Sequence, residues 1–315
     1  MENEAKKELL RKSYGEVFQI LRETKHISQT VAAGGKTLQG NLSRFEKGGN
    51  IPAVDTFFNF LLNIKVDPAE YFHALNNHLV KKDIFLYVDM VGKAYTLQDA
   101  PTLEEIIKNL ENQEKDNSNL DKFTLDRIMA EAVLSLIDPE FKIPKTDADR
   151  IRDYLKNTRY WGYYELRLLG WTSRLFDFIQ LTEISDRVIF FATKNEVSPH
   201  VKRQIILCEL NILDSLLLQK QYTAAKSIIK HLEQYGIPEN FYYEKSGLVY
   251  LKAKCDYLTG HTESLETMKA HLSALELYGC TGTAAICREE IEDMIKHPNA
   301  RGLVPYDRED ANKEE

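Results

Sequence analysis

Little in these 315 residues could hold a metal or run a covalent reaction. The four cysteines, Cys208, Cys255, Cys280 and Cys287, form no C-x-x-C pair. That leaves neither a zinc spacing nor a redox dithiol, and the reading is of buried, reduced thiols. The eight histidines, His26, His73, His78, His200, His231, His261, His271 and His297, show no H-E-x-x-H spacing, and no G-x-S-x-G elbow occurs. Without these constellations the chain is not expected to be an enzyme, and no cofactor or metal is implied. Gly34-Gly35-Lys36-Thr37 imitates the end of a nucleotide-binding loop, but the first glycine of that motif would fall at Thr30 and no apolar strand precedes it, so ATP binding is excluded. No run reaches the roughly 18 apolar residues of a membrane span. The amino-terminal stretch, with Glu2, Glu4 and Glu8 among its lysines, has no apolar segment of a secretory type, so a cytoplasmic location with no membrane partner is expected.

What is present is helical periodicity. With 43% hydrophobic residues the chain can bury a sizeable core, and its length suits two domains. Val17, Leu21, Val31, Leu38, Leu42, Phe45, Val54, Phe57, Phe58 and Leu61 recur at helical intervals through residues 5–76 and outline a small helical core. Gly34 and Gly35 allow a tight turn between the second and third helices, with Thr37 as the expected N-cap of the third. Gly48 and Gly49 mark its end, and Pro52 blocks continuation. This is the pattern of a helix-turn-helix with its recognition helix over the Leu42–Gly48 run, and it implies binding to double-stranded DNA.

Charge agrees with that placement. The net charge is −7, yet residues 1–50 carry nine Lys/Arg against six Asp/Glu, while residues 77–315 carry 31 against 39. Basic character sits where a polyanion would be met. Leu42 and Phe45 belong to the core face, leaving Gln39, Gly40, Asn41, Ser43 and Arg44 as candidates for a DNA groove. Gln and Asn can pair bidentately with adenine and Arg with guanine, although Arg44 could instead bind phosphate or pair with Glu46. Lys36, Lys47 and Arg22 are the expected phosphate clamps.

Beyond residue 80 no strand is evident, and apolar residues recur every three or four positions between short polar or Pro/Gly breaks. Helix-pair starts near Asp121, Trp161, His200, Phe241 and Thr281 are separated by 40, 39, 41 and 40 residues. Such a period suits stacked antiparallel helix pairs, whose small successive rotations leave a concave surface for an extended peptide or a partner helix. An internal echo aligns Leu213–Tyr222 with Ala253–Thr262, setting Lys220 opposite Gly260, and both following helices close on a Tyr-Gly pair, Tyr235-Gly236 and Tyr278-Gly279. The reading is all-α: a helix-turn-helix domain over 1–76, a short linker at 77–80, a helical-repeat domain over 81–300 and an acidic, disordered tail over 301–315.

Two runs resemble one family. Gly15, Leu21-Arg22 and Leu42–Gly48, together with Trp161-Gly162-Tyr163-Tyr164-Glu165, Leu168-Leu169-Gly170 and Arg174, are similar to the Rgg-type transcriptional regulators of Gram-positive bacteria, within the cytoplasmic receptors for signalling peptides. The resemblance implies a tetratricopeptide-like second domain, a homodimer, and quorum-sensing control by a short hydrophobic peptide. RNA polymerase is a candidate further partner. Arg174 matches the arginine that in relatives faces the peptide groove and meets an acidic peptide residue; an intrahelical pair with Asp177 is the alternative. Lys93, Asn211, Tyr242 and Tyr250 are weaker groove candidates. The aromatic run at 160–164 reads mainly as packing between repeats. Two positions depart from the family pattern: Gly40 stands inside the recognition helix where members usually have a helix-compatible polar residue, at a cost on the order of 1 kcal/mol relative to alanine, and Gly49 follows Gly48. Two other readings remain open from sequence: a helical-repeat interaction scaffold, and a DNA-binding regulator controlled by a protein rather than a peptide.

Overall fold

The computed structural model describes residues 2–80, 88–116 and 121–296. Among them there is no strand, and no helix is long and apolar enough to cross a membrane. The chain divides into two compact units, 1–89 and 90–315.

The first unit contains α1 (Glu2–Thr24), α2 (Gln29–Ala32), α3 (Lys36–Glu46), α4 (Val54–Asn63) and α5 (Pro68–Val80). Phe18 is at the centre of its core, with ring centroids 5.8 Å from Phe45 and 6.1 Å from Phe60. Val17, Leu42, Leu61, Ile64 and Tyr71 close the core around it. Helices α1 and α3 approach until backbone meets backbone: a methyl group at Gly15 would lie 1.9 Å from the Phe45 carbonyl oxygen. Only glycine fits there.

Four residues expected in this core are exposed: Val31, Leu38, Val54 and Phe58. The reason is visible on α4. Its sequence carries two interleaved apolar stripes, Val54/Phe58/Leu62 and Phe57/Phe60/Leu61/Ile64, and periodicity alone cannot say which faces inward. The second one does. The linker expected at 77–80 is instead the last turn of α5, where Leu79 is buried in the core and His78 Nε2 lies 3.1 Å from Glu16. Division of the chain falls further on, between Asp89 and Met90. The tail expected at 301–315 lies outside the described residues.

The second unit begins in α6 (Val88–Leu97) and continues through α7 (Ala100–Asp116), α8 (Asp121–Ile137), α9 (Lys145–Asn157) and α10 (Tyr163–Thr172). A short 3₁₀ turn, Ser173–Leu175, leads to α11 (Phe178–Lys194), α12 (Pro199–Leu218), α13 (Tyr222–Tyr235), α14 (Tyr242–Leu258), α15 (Ser264–Leu277) and α16 (Thr281–Lys296). The period of 40 corresponds to the first helices of successive pairs, which start at Asp121, Tyr163, Pro199, Tyr242 and Thr281. The internal echo has a backbone cause. Lys220 and Gly260 follow α12 and α14 with φ of 57° and 104°, and Gly236 and Gly279 follow α13 and α15 with φ of 74° and 72°. Each turn therefore carries a positive-φ residue within two positions of the helix end.

One core runs from Leu125 to Ile291 through this unit. Within it Glu209 of α12 is 1% exposed; Ser185 Oγ donates to its Oε2 at 2.7 Å, while Oε1 has no hydrogen-bond partner. Burial pushes its carboxyl up to about 8 from 4.5. A raised folded-state value means that the unfolded chain releases this proton first. Stability is therefore undiminished below about 4.5 and falls as the pH rises towards 8. Glu209→Gln keeps an acceptor for Ser185 and removes the titration. Urea unfolding should show the variant gaining on the wild type by about 3 kcal/mol between pH 5 and pH 8; an unchanged difference would refute this.

Candidate nucleic-acid interface and ligand groove

Helices α2 and α3 are joined by Ala33, Gly34 and Gly35, with φ of 73° and 140° at the two glycines. This is the helix-turn-helix that the spacing implies, with one correction. The N-cap of α3 is Gly35, and Thr37 lies inside the helix, because the positive φ of Gly35 already starts the helix two residues earlier. The far end follows the expected pattern: Gly48 N donates to Phe45 O at 2.9 Å and Gly49 N to Arg44 O at 2.7 Å, with Gly48 at φ 72°. Both last-turn carbonyls are thus satisfied.

Burial sorts the faces of α3. Leu42, Phe45 and Glu46 point into the core, while Gly40, Arg44 and Lys47 are exposed at positions i, i+4 and i+7 of one outward stripe. Ser43 flanks that stripe and is half-buried. Gln39 and Asn41 lie to either side and are tied down locally: Thr30 Oγ1 donates to Gln39 Oε1 at 3.0 Å, and Asn50 Nδ2 donates to Asn41 Oδ1. A methyl group at Gly40 would meet nothing within 4 Å, so the protein itself does not demand glycine here. Lys36 opens α3, and its side chain lies outside the described ones.

Arg22 is not a phosphate clamp. It is 6% exposed; Nε and Nη2 donate to Glu46 Oε1 and Oε2 at 2.5 and 2.9 Å, and Nη1 donates to Ile27 O at 2.8 Å. Gln29 Nε2 adds a bond to Glu46 Oε2 at 2.7 Å. The bidentate pair fastens the end of α1 to the end of α3 and so positions α3. It also keeps Arg44 from pairing with Glu46, which is already occupied. No sequence signal marks a pair 24 residues apart.

In the second unit a cavity of about 990 Å³ opens among α6, α12, α14, α15 and α16. Arg174, Asn211, Tyr242 and Tyr250, expected from sequence, all line it. Lys93 does not: it is exposed on α6, and the residue α6 contributes is Tyr95, two positions on and on the opposite side of the helix. Asn211 presents an exposed side chain to the space from an otherwise buried stretch of α12.

Arg174 does not pair with Asp177, which instead caps α11 by accepting from Gln180 N at 2.9 Å. Its Nη2 reaches Asp214 Oδ2 at 3.1 Å. Lys254 Nζ then lies 2.7 Å from Asp214 Oδ1 and also donates to Glu290, to which Tyr250 Oη donates at 2.5 Å. The result is a ladder of alternating charge, Arg174, Asp214, Lys254, Glu290, with one rung from each of four successive helix pairs. Burial alone would push the Asp214 carboxyl up, but Lys254 and Arg174 outweigh it and hold it at about 2. Burial likewise disfavours the Lys254 cation, and the two carboxylates more than reverse this, raising its value. Lys254, 2% exposed, is the hub that sequence reading misses.

Residues 107–289 match the family model described as the C-terminal domain of the HTH-type transcriptional regulator Rgg. The chain belongs to the Rgg family. Solved structures share its fold at low identity. The SHP pheromone receptor Rgg2 of Streptococcus dysgalactiae is 22% identical with a TM-score of 0.66, the alignment covering 89% of this chain and 99% of that one. A putative transcriptional regulator from Listeria monocytogenes is 15% identical with a TM-score of 0.67, covering 91% and 98%. PlcR of Bacillus thuringiensis, solved with the peptide PapR7 and DNA, is 13% identical with a TM-score of 0.58, covering 88% and 99%.

The Rgg-like aromatic run is structural in this chain. Trp161 is 2% exposed, and Glu165 reaches back from the first turn of α10 to accept from Gly162 N at 3.2 Å while Tyr154 Oη donates to it at 2.9 Å. Tyr160, by contrast, is exposed. Of the cysteines, Cys208, Cys255 and Cys287 are buried, but Cys280 is exposed in the turn before α16, contrary to the expectation that all four are buried.

Proposed function

We propose that the protein is a cytoplasmic, homodimeric regulator that reads DNA with α3 and is controlled by a short, largely apolar signalling peptide in the 990 Å³ cavity. The carrying observation is the coexistence, in one Rgg-family chain, of an outward stripe of Gly40, Arg44 and Lys47 and a separate tyrosine-lined cavity of ligand size. PlcR, solved with both its peptide and DNA, is a precedent for the two occupants.

In this reading Arg44 and Gln39 contact base edges, Asn41 and Ser43 support them, and Lys47 and Lys36 bind phosphates. Gln39 retains its amide nitrogen for such a contact while Oε1 accepts from Thr30. Two heads on a dimer would address half-sites about 34 Å apart. A peptide acts only through its differential affinity for two arrangements of the helix pairs, and so of the paired heads. RNA polymerase contact would follow from activation.

The test is retention of the gene's own promoter DNA by the purified chain at low salt. Gln39→Ala with Arg44→Ala should cost roughly 1–3 kcal/mol per lost pair, about five- to 150-fold in specific affinity for each, while the chain stays folded. A chain that keeps full sequence-specific binding without those side chains overturns the assignment of α3. Binding of a protein but of no DNA would favour the scaffold reading.

A further inference from the structure

The proposed peptide cavity has a charge pattern of its own. Its most deeply placed charges cancel within the protein. Arg174 is engaged by Asp214, and Lys254 by Asp214 and Glu290. Arg174 is thus held by Asp214 at 3.1 Å, and an incoming carboxylate would have to compete with Asp214 for it. The lysine of the lining itself, Lys296, lies 3.2 Å from Glu292.

Two further carboxylates of α16 are not cancelled in this way. Glu289 and Asp293 both line the cavity, both are exposed, and among the described residues neither has a cation within ion-pairing distance. They stand at i and i+4 on one face, where two like charges destabilise a helix by a few tenths of a kcal/mol. The same cavity is lined by Tyr242, Tyr243 and Tyr278, each more than half exposed. Exposed aromatic faces and unpaired carboxylates lining one cavity form an environment that attracts a cation, by ring quadrupole and by charge together.

Taking this cavity as the peptide site, we infer that the peptide presents a basic group to α16: a lysine or arginine side chain or a free amino terminus, set between Glu289, Asp293 and the tyrosines. The remaining apolar residues of the peptide fill the floor near Leu210 and Leu251. Arg174 serves as a rung of the ladder and not as the acid-selecting anchor that the family resemblance implies.

The experiment uses the full chain and end-blocked eight-residue peptides with one common apolar core, carrying a single Lys, Gln or Glu at either end, read by fluorescence anisotropy. The Lys peptide is expected to bind about five- to tenfold more tightly than the Gln peptide at one of the two ends, with the Glu peptide weakest. Glu289→Gln with Asp293→Asn should abolish that ranking, the three peptides then binding alike, and both substituted sites are exposed, so folding is not at issue. Equal binding of the three peptides, or a preference for Glu, overturns the basic-group inference and leaves the cavity as the peptide site. Failure of the wild type to bind any of them removes both.

Discussion

Lys254→Met is expected to destabilise the second unit by about 3–5 kcal/mol at neutral pH, the usual cost of removing one partner from a buried charge pair. Methionine matches the length of the stem, so the loss is electrostatic rather than steric. Asp214 would retain Arg174 at 3.1 Å, whereas Glu290 would retain only the Tyr250 hydroxyl at 2.5 Å. The loss should depend on pH in a defined direction. The Asp214 carboxyl is held at about 2 against an ordinary 3.8, so its contribution is complete above 3.8 and disappears as the pH falls through 2. Wild type and variant should therefore converge in acid. Glu290→Gln added to Lys254→Met should recover part of the loss, because it removes the uncompensated charge. Urea unfolding of the four chains of this cycle measures the coupling directly. A Lys254→Met chain as stable as wild type at pH 7 would show that the ladder contributes no stability.

Gly15→Ala should have the second large effect. Helix propensity predicts a gain of up to about 1 kcal/mol. Geometry predicts the opposite, because the new methyl group would lie 1.9 Å from the Phe45 carbonyl oxygen, an atom of the backbone that cannot rotate away. The helices α1 and α3 must separate, and overpacking of this kind costs at or beyond the upper end of roughly 1–3 kcal/mol. Gly40→Ala is the matched control in the same unit, since its methyl group meets nothing within 4 Å. Thermal unfolding should show the Gly15 variant melting lower and the Gly40 variant melting higher than wild type. If DNA approaches the α3 backbone closely at position 40, the more stable Gly40 variant will also bind promoter DNA less well. Equal and small shifts for both would contradict the close approach of α1 to α3.

Legibility of the sequence depends on the range of the interactions involved. The turn glycines Gly34 and Gly48, the period of 40 and the paired Lys220/Gly260 positions are readable because each expresses a local backbone requirement. Arg174, Asn211, Tyr242 and Tyr250 reach the cavity through polar or aromatic residues interrupting helical patterns and through family resemblance. The features that escape a linear reading depend on partners distant in the chain. Arg22 resembles a free surface cation, and only the fold brings Glu46, 24 residues on, against it. Lys254 resembles any other lysine, and its role depends on residues 40 and 36 positions away. Phe58 and Val54 resemble core because their spacing is as helical as that of the stripe actually buried.

The ladder places a limit on how such an array can change length. Its signs run positive, negative, positive, negative across four consecutive helix pairs. Deleting either inner pair, or duplicating any one, would bring two like signs together, whereas deleting both inner pairs would restore the alternation. Electrostatics as well as shape therefore constrains which inner modules of this domain could be lost or copied singly.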